Sequence, residues 1–284
     1  MTLACTLSRA LRMAGAVTAT TLLVWLPATS ATAQIVDDTP APAARDGLSG
    51  FLALGVAAIP RYEGAKDHRS FPAAFGQLRY GDRYAELLGT SLRVNVIDSP
   101  RIAAGPVVSL TFGRGAKGVP AQIRALGRIG DAVEAGGFAA LTFPGVAKAG
   151  DALSITVEAV TDVSGTHDGT IGSLTATYRL PVGDRLSLTA DVRMSAASDG
   201  YARRYFGVGA AGATASGLPA FAAGGGLRDV GGGVTAAYAL DRRWSLVGFA
   251  NYRRIGGDFA ASPVVRIAGD RDQMIAGAGV GLSF

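Results

Sequence analysis

Residues 185–195 alternate polar and apolar side chains without interruption. Successive side chains of an extended strand point to opposite faces, so this stretch has one apolar and one polar face. The apolar face carries Leu186, Leu188, Ala190, Val192 and Met194, and the polar face carries Arg185, Ser187, Thr189, Asp191, Arg193 and Ser195. Taken alone, the pattern predicts a half-buried strand of an antiparallel sheet.

Similar segments recur to the end of the chain. We predict strands at 48–59, 70–80, 83–97, 101–113, 131–143, 151–163, 170–180, 185–196, 227–240, 243–255 and 272–284. Many are long enough to cross a bilayer obliquely, which takes about 9–11 residues. These are eleven strands, whereas bacterial single-chain barrels normally have an even number. We expect twelve, with 83–97 broken at Gly89 or an extra strand at 201–208, and ten as the alternative.

The closing segment predicts what surrounds the sheet. One face carries Met274, Ala276, Ala278, Val280, Leu282 and Phe284, and the other carries Gly277, Gly279, Gly281 and Ser283. A soluble sandwich would solvate the second row with long charged side chains, whereas small residues are expected where inward positions crowd a narrow lumen. Terminal Phe284 suits a membrane–water boundary. We therefore predict an all-β, closed antiparallel transmembrane barrel.

The spacing of the turns predicts two different ends for this barrel. Short turns at 181–184 and 241–242 have tyrosines nearby, as is typical of a periplasmic rim. The longer connections at 114–130, 197–226 and 256–271 then fall on the outer side. The uncharged stretch 205–227 contains seven glycines and Pro219, so we expect a loop or an irregular strand there and no spanning helix.

The N-terminus predicts export. Residues 1–33 have Arg9 and Arg12, an apolar stretch and a small-residue cleavage site, so we interpret them as a signal peptide. Residues 34–47 form a predicted flexible periplasmic lead, and 48–284 form the barrel. Removal of the signal takes away Cys5, the single cysteine, and lowers the net charge from +5 to +3. That small surplus does not indicate nucleic-acid binding.

Catalytic motifs are weak. His68 and His167 each neighbour an aspartate, and Ser164 lies near His167, but neither pair has a third partner at a diagnostic spacing. We predict that both histidines are solvated loop residues, and that the protein is not an enzyme and has no cofactor or metal. The stretch 207–212 matches G-x-G-x-x-G but lacks the strand and helix that a dinucleotide site requires.

Charged residues at inward strand positions are the candidate lumen-facing residues. They are Glu86, Arg93, Glu134, Glu158, Asp191, Arg193 and Arg253. Charges enclosed by a lumen tend to pair with one another or to line water. The set therefore fits either a salt-bridged plug or the wall of a small-solute channel, and the predicted strand number does not choose between them.

Several short motifs resemble those of the MipA/OmpV family. They are 60–64 (PRYEG), 79–83 (RYGDR), 216–220 (SGLPA), 224–231 (GGGLRDVG) and the terminal Phe284. The resemblance covers essentially the whole predicted mature chain, with the motifs in the family's order. It implies a β-barrel in the outer membrane of a Gram-negative bacterium, surrounded by membrane lipid.

The resemblance also implies a role and partners. MipA stands for MltA-interacting protein, and better-known members are described as scaffolds that join a murein-cleaving lytic transglycosylase to a bifunctional murein synthase, a penicillin-binding protein. Other members are linked to adhesion or to envelope responses. Phe284 resembles the signal read by the barrel assembly machinery. No catalytic residue transfers from the family, so we expect a scaffold, with a small-solute pore or an adhesin-like surface protein as alternatives.

Overall fold

The chain forms a closed antiparallel barrel. The computed structural model describes residues 47–115 and 117–284, so the predicted signal and all of the predicted lead except Gly47 lie outside the described residues. The strands are β1 (Leu48–Pro60), β2 (His68–Tyr80), β3 (Arg83–Leu88), β4 (Ser91–Asn95), β5 (Ile102–Thr111), β6 (Ala132–Pro144), β7 (Ala152–Asp162), β8 (Thr170–Val182), β9 (Leu186–Ala197), β10 (Gly226–Ala239), β11 (Trp244–Ile255) and β12 (Asp272–Ser283). The helices are α1 (Ala121–Ala125), α2 (Asp199–Phe206), α3 (Ala210–Ser216), α4 (Gly257–Ala261) and α5 (Pro263–Arg266).

Each strand pairs with the next along the chain, and β1 pairs with β12 to close the sheet. The predicted closed antiparallel barrel of twelve strands is therefore confirmed for the described residues. Predicted strand boundaries differ from the observed ones by at most two residues, because the turn residues between the strands are easy to recognise.

The twelfth strand arises from a break at Gly89. Its φ of 62° lies in the left-handed region that glycine adopts readily, and this allows β3 to reverse directly into β4. Of the two ways to reach twelve strands, the break in 83–97 is the correct one. The alternative strand at 201–208 is wrong, because most of that segment forms α2.

Stretch 205–227 is also more regular than a loop or an irregular strand. It contains α3, which ends at Gly217, where φ is 71°. A glycine inside a helix normally costs about 1 kcal/mol relative to alanine. Here Gly212 lets Leu126 approach α3 closely, since a Cβ at that position would lie 3.1 Å from Leu126 Cδ2. Packing between α1 and α3 thus offsets the poor helix propensity.

The outward face of the barrel is apolar. Alternate strand residues expose large hydrophobic side chains, among them Val192 at 64%, Val234 at 60% and Val56 at 59%. Such a continuous apolar belt would be unfavourable in water and is typical of contact with lipid. None of the helices in the described residues is long and apolar enough to cross a membrane.

Small inward residues of β12 make room for aromatic rings. A Cβ at Gly281 would lie 2.6 Å from Phe51 Cε2, and a Cβ at Gly277 would lie 2.7 Å from Phe249 Cζ. Separations under 3.0 Å are not tolerated without rearrangement. Inward phenylalanines of β1 and β11 therefore occupy the space where side chains at Gly277 and Gly281 would be, and a Cβ at Gly279 would lie 2.4 Å from the Leu54 backbone oxygen.

The two ends of the barrel have connections of different length. Residues 81–82, 96–101, 145–151, 183–185 and 240–243 join strands at the end where Phe284 exchanges backbone hydrogen bonds with Gly50. Connections 61–67, 112–131, 163–169, 198–225 and 256–271, with all five helices, lie at the opposite end and are called the cap. Among the described residues, the two-residue turn 89–90 between β3 and β4 is the one short connection on that side. Bacterial barrels place short turns in the periplasm and long loops outside, so the cap faces outward.

One periplasmic turn is held rigidly. In the 145–151 turn, the Asp151 carboxylate accepts hydrogen bonds from the backbone N–H groups of Val146, Ala147 and Lys148 at 2.7–2.9 Å. The Tyr178 hydroxyl donates to the same carboxylate. Together these hydrogen bonds lower the pKa of Asp151 to about 2, and the bond from Tyr178 has the largest effect. Asp151 is therefore ionised throughout the neutral range and keeps this turn in one conformation.

The belt predicts how β9 tolerates a charge. Val192→Arg puts a guanidinium into lipid, which costs about 2–4 kcal/mol near the membrane midplane, so assembly should fall sharply. Thr189→Arg, on the inward face of the same strand, should assemble. The measurement is the fraction of heat-modifiable barrel in membranes, detected as a mobility difference between unboiled and boiled samples. Equal assembly of the two variants would contradict the assigned faces.

Candidate functional site in the capped lumen

The cap fills its end of the barrel with buried side chains. Helix α2 buries Tyr201, Tyr205 and Phe206, and Phe206 meets Phe259 of α4 edge-on with ring centroids 5.1 Å apart. The buried Ser262 hydroxyl donates to the Phe206 carbonyl at 2.5 Å, which ties α2 to the start of α5. Because apolar packing and a buried hydrogen bond join its helices, the cap is a folded layer at the barrel mouth.

A buried ion network joins this cap to the barrel wall. Arg228 on β10 donates to Asp229 at 2.7 Å, and its Nε lies 3.6 Å from Glu63 Oε1 in the 61–67 connection. Arg253 on β11 lies 3.6 Å from Glu63 and 3.8 Å from Asp229. Tyr201 donates to Glu63 and receives a hydrogen bond from Arg228 at 3.3 Å. Two cations and two anions thus neutralise one another across three parts of the structure.

Tyr201 acts as a neutral donor in this network. Its side chain is 1% exposed. Burial raises the pKa of Tyr201 well above its ordinary value, and the nearby Glu63 carboxylate adds to the effect. The phenol therefore keeps its proton and donates a hydrogen bond to Glu63, which anchors α2 above the lumen.

A second ion cluster lies deeper in the lumen. Arg93 on β4 donates to Glu158 on β7 at 2.7 Å and lies 4.0 Å from Glu86 on β3. The Gln77 side-chain amide donates to Glu86 at 3.3 Å. Since Arg93 and Glu158 belong to strands that are not neighbours, their contact bridges the interior of the barrel.

His167 is buried, so its predicted position in a solvated loop is wrong. Its exposed fraction is 3%, and Glu134 Oε1 lies 3.1 Å from its Nε2. Its Nδ1 accepts the Gly169 backbone N–H at 3.1 Å, so the ring proton is on Nε2 and is donated to Glu134. The ring turns inward because the Asp162 carboxylate accepts backbone N–H groups of His167 and its neighbours and thereby curls the 163–169 connection.

His68 has a different environment. It lies in an exposed position at the start of β2, and its Nε2 is 2.9 Å from the Met274 carbonyl. Ser164 Oγ donates to Asp162 at 2.7 Å and accepts the Val133 backbone N–H at 3.1 Å, so its hydroxyl is engaged by groups other than His167. The described residues contain no group of three or more His, Cys, Asp or Glu side chains that is arranged to hold a metal ion.

Family comparison decides what kind of barrel this is. Residues 52–284 match the model of a family described as MltA-interacting protein MipA. The chain belongs to the MipA family. A lipid-facing closed barrel of this family is an outer-membrane protein of a Gram-negative bacterium. No curated protein sequence gives a match to this one.

Solved structures with a similar course of the chain are also barrels. The NanC porin has 9% identity and a TM-score of 0.45, and the match covers 82% of this chain and 100% of that one. An outer membrane channel from Pseudomonas putida F1 has 16% identity and a TM-score of 0.43, with 88% and 100% covered. The P. putida toluene transporter TodX has 11% identity and a TM-score of 0.32, with 88% and 91% covered.

The MipA-family barrel distributes the seven predicted lumen residues over four places. Glu86, Arg93 and Glu158 form the deep cluster, Arg253 joins the network under the cap, and Glu134 holds His167. Asp191 and Arg193 lie on β9, on the face opposite exposed Val192. Arg193 Nε has no hydrogen-bond partner among the described residues. The structure therefore does not bring all seven into a single site.

The sequence predictions missed the residues that connect the cap to the wall. Glu63, Tyr201, Arg228 and Asp229 lie at strand ends or in connections, where alternation gives no inward face. A signal was available, since Glu63 falls in the 60–64 motif, and Arg228 and Asp229 fall in the 224–231 motif.

Removal of one partner of the buried network should be costly. Arg228→Met leaves Glu63 and Asp229 without their central cation, and breaking a buried pair in this way typically costs about 3–5 kcal/mol. Arg254→Met removes the exposed Arg254–Asp272 pair at 3.4 Å, which is expected to contribute less than about 1 kcal/mol. Denaturant unfolding in lipid vesicles measures both changes, and equal losses would contradict the assigned role of Arg228.

Proposed function

We propose that this barrel is a non-enzymatic outer-membrane scaffold that holds murein-processing enzymes, a lytic transglycosylase and a penicillin-binding murein synthase, beneath the outer membrane. The family description, MltA-interacting protein, supports this class of partner. The scaffold acts through surfaces, so its activity lies in what its exposed periplasmic turns contact.

The observation that carries the proposal is that charged side chains in the lumen pair with one another. Arg93 pairs with Glu158, Arg228 pairs with Asp229, and Arg253 faces Glu63, while the cap covers the outer mouth with buried side chains. Polar groups already paired in this way are not available to guide a solute. This supports a structural interior and leaves the two ends of the barrel as the surfaces for partners.

The periplasmic end offers a suitable contact surface. Residues 144–150 are all exposed, including Val146 at 54%. Asp151 fixes the shape of this turn, and Lys148 Nζ donates to the Pro181 carbonyl of β8. A rigid exposed turn loses little conformational entropy when a partner binds, which favours a stable contact.

The absence of catalysis is part of the proposal. Both ring nitrogens of His167 are engaged, with Glu134 and with the Gly169 N–H. A general base needs a free nitrogen within reach of a nucleophile. The bonding of Ser164 to Asp162 further supports a structural role for this connection.

A photo-crosslinking amino acid at Val146 should capture the proposed partners. Cells carrying it at Val146 are irradiated, and the barrel is purified in denaturant and analysed by mass spectrometry. A lytic transglycosylase or a penicillin-binding protein should be enriched at least about tenfold over the same residue at Gln122, which is exposed on α1 of the cap. Crosslinks to neither enzyme from Val146 and from other periplasmic turns would overturn the scaffold role.

The closed interior predicts that the barrel does not conduct ions. Purified barrel reconstituted in a planar bilayer should show no stable conductance steps, because the cap and the paired charges block the path. A reproducible conductance whose ion selectivity changes in Arg193→Glu would contradict a closed, structural lumen and favour a small-solute pore.

A further inference from the structure

The cap carries several exposed cationic side chains. The 112–131 connection contains Arg114, Lys117, Arg124 and Arg128 and one acidic residue, Asp131. The side chains of Lys117, Arg124 and Arg128 are exposed. On α2, Arg203 and Arg204 are exposed beside the buried tyrosines.

Three contacts connect the segments that carry these cations. Arg61, from the 61–67 connection, lies against Gly118, whose missing side chain leaves space for the guanidinium. Buried Arg114 donates through Nη1 to the Tyr205 carbonyl at 3.4 Å, which joins the 112–131 connection to α2 next to Arg204. Helix α1 packs on α3. The residues Arg61, Lys117, Arg124, Arg128, Arg203 and Arg204 are called the cap patch.

The cap patch has no ion-pair partner among the described residues. Within residues 47–115 and 117–284, no member of the patch has a carboxylate within 4.0 Å in an ion pair. Burial lowers the pKa of Arg114, Tyr62 opposes that shift, and nearby Arg204 lowers the pKa further. Arg114 thus experiences the field of a neighbouring cation, as expected where positive charge accumulates.

We propose that the cap patch binds the phosphate groups of lipopolysaccharide in the surrounding outer leaflet. The cap lies on the outer side of an apolar belt, and the outer leaflet of this membrane presents phosphorylated lipid A and inner-core sugars on that side. Five of the six patch residues are arginines, whose planar guanidinium matches phosphate with two parallel hydrogen bonds. This proposal stands independently of the scaffold role.

Charge complementarity selects this partner over other anions. Basic clusters on membrane proteins bind anionic lipid head groups, with about 1 kcal/mol for each Lys or Arg near the surface. Lipopolysaccharide is fixed in the same membrane at high local concentration, so binding does not require capture of a soluble molecule. A soluble acidic polysaccharide, whose carboxylates arginine can also contact with two parallel hydrogen bonds, is the alternative partner that the test distinguishes.

The test uses purified full-length barrel in neutral detergent and rough lipopolysaccharide that carries lipid A and the phosphorylated inner core. Lys117→Gln/Arg124→Gln/Arg128→Gln removes three patch charges. Arg185→Gln/Arg242→Gln/Arg243→Gln removes three exposed charges from the periplasmic turns and is the matched control. Heat-modifiable mobility establishes that both variants are folded before binding is measured by isothermal titration at several salt concentrations.

The patch variant should bind at least about tenfold more weakly and show a weaker salt dependence, since charge pairs are screened by salt. The control should bind like the unmodified protein. Equal loss in both variants would overturn the assignment to the cap. Undiminished binding of dephosphorylated lipopolysaccharide, or equal binding of a soluble acidic polysaccharide, would overturn the phosphate assignment, and full competition by inorganic phosphate at matched phosphate concentration would overturn the lipid assignment.

Discussion

Satisfaction of backbone hydrogen bonds without water is the constraint on which this structure depends. In hydrocarbon every N–H and C=O must be paired within the protein, and a sheet achieves this only when it closes. Pairing of β1 with β12 completes the closure. A closed sheet of twelve strands encloses a limited volume, so inward side chains compete for space. Gly277 and Gly281 yield that space to Phe249 and Phe51.

Closure also decides how the interior charges behave. A charge removed from water is tolerated only when it is paired, and the attraction between partners is stronger where water is excluded. The buried charge of Arg228 is paired in this way, because Arg228 contacts Asp229, Glu63 and Tyr201 together. These partners come from β10, the 61–67 connection and α2. The contacts that neutralise the buried charges therefore also attach the cap to the barrel wall. The hydrogen bond from His167 to Glu134 attaches the 163–169 connection to β6.

The two ends of the barrel then have different chemistry. The periplasmic end has short connections, of which 145–151 is fixed by Asp151 and exposed to solvent. The outer end has a folded cap with arginines on its surface. A barrel whose interior is occupied by its own ion pairs still presents two distinct surfaces. The scaffold proposal concerns the first surface, and the lipopolysaccharide proposal concerns the second.

The sequence by itself determined the barrel, its strand boundaries and the direction of its faces. Alternation has a period of two residues, so Val192 and Arg193 must point to opposite sides whatever they contact. The sequence also indicated the break at Gly89, as one of two ways to reach twelve strands. The tertiary structure alone decided which side chains contact one another in the lumen. Partners such as Glu63 and Arg228 lie 165 residues apart in the chain, and His167 turns inward through backbone contacts to Asp162. No local pattern encodes such distances, because they depend on which strand ends meet when the sheet closes.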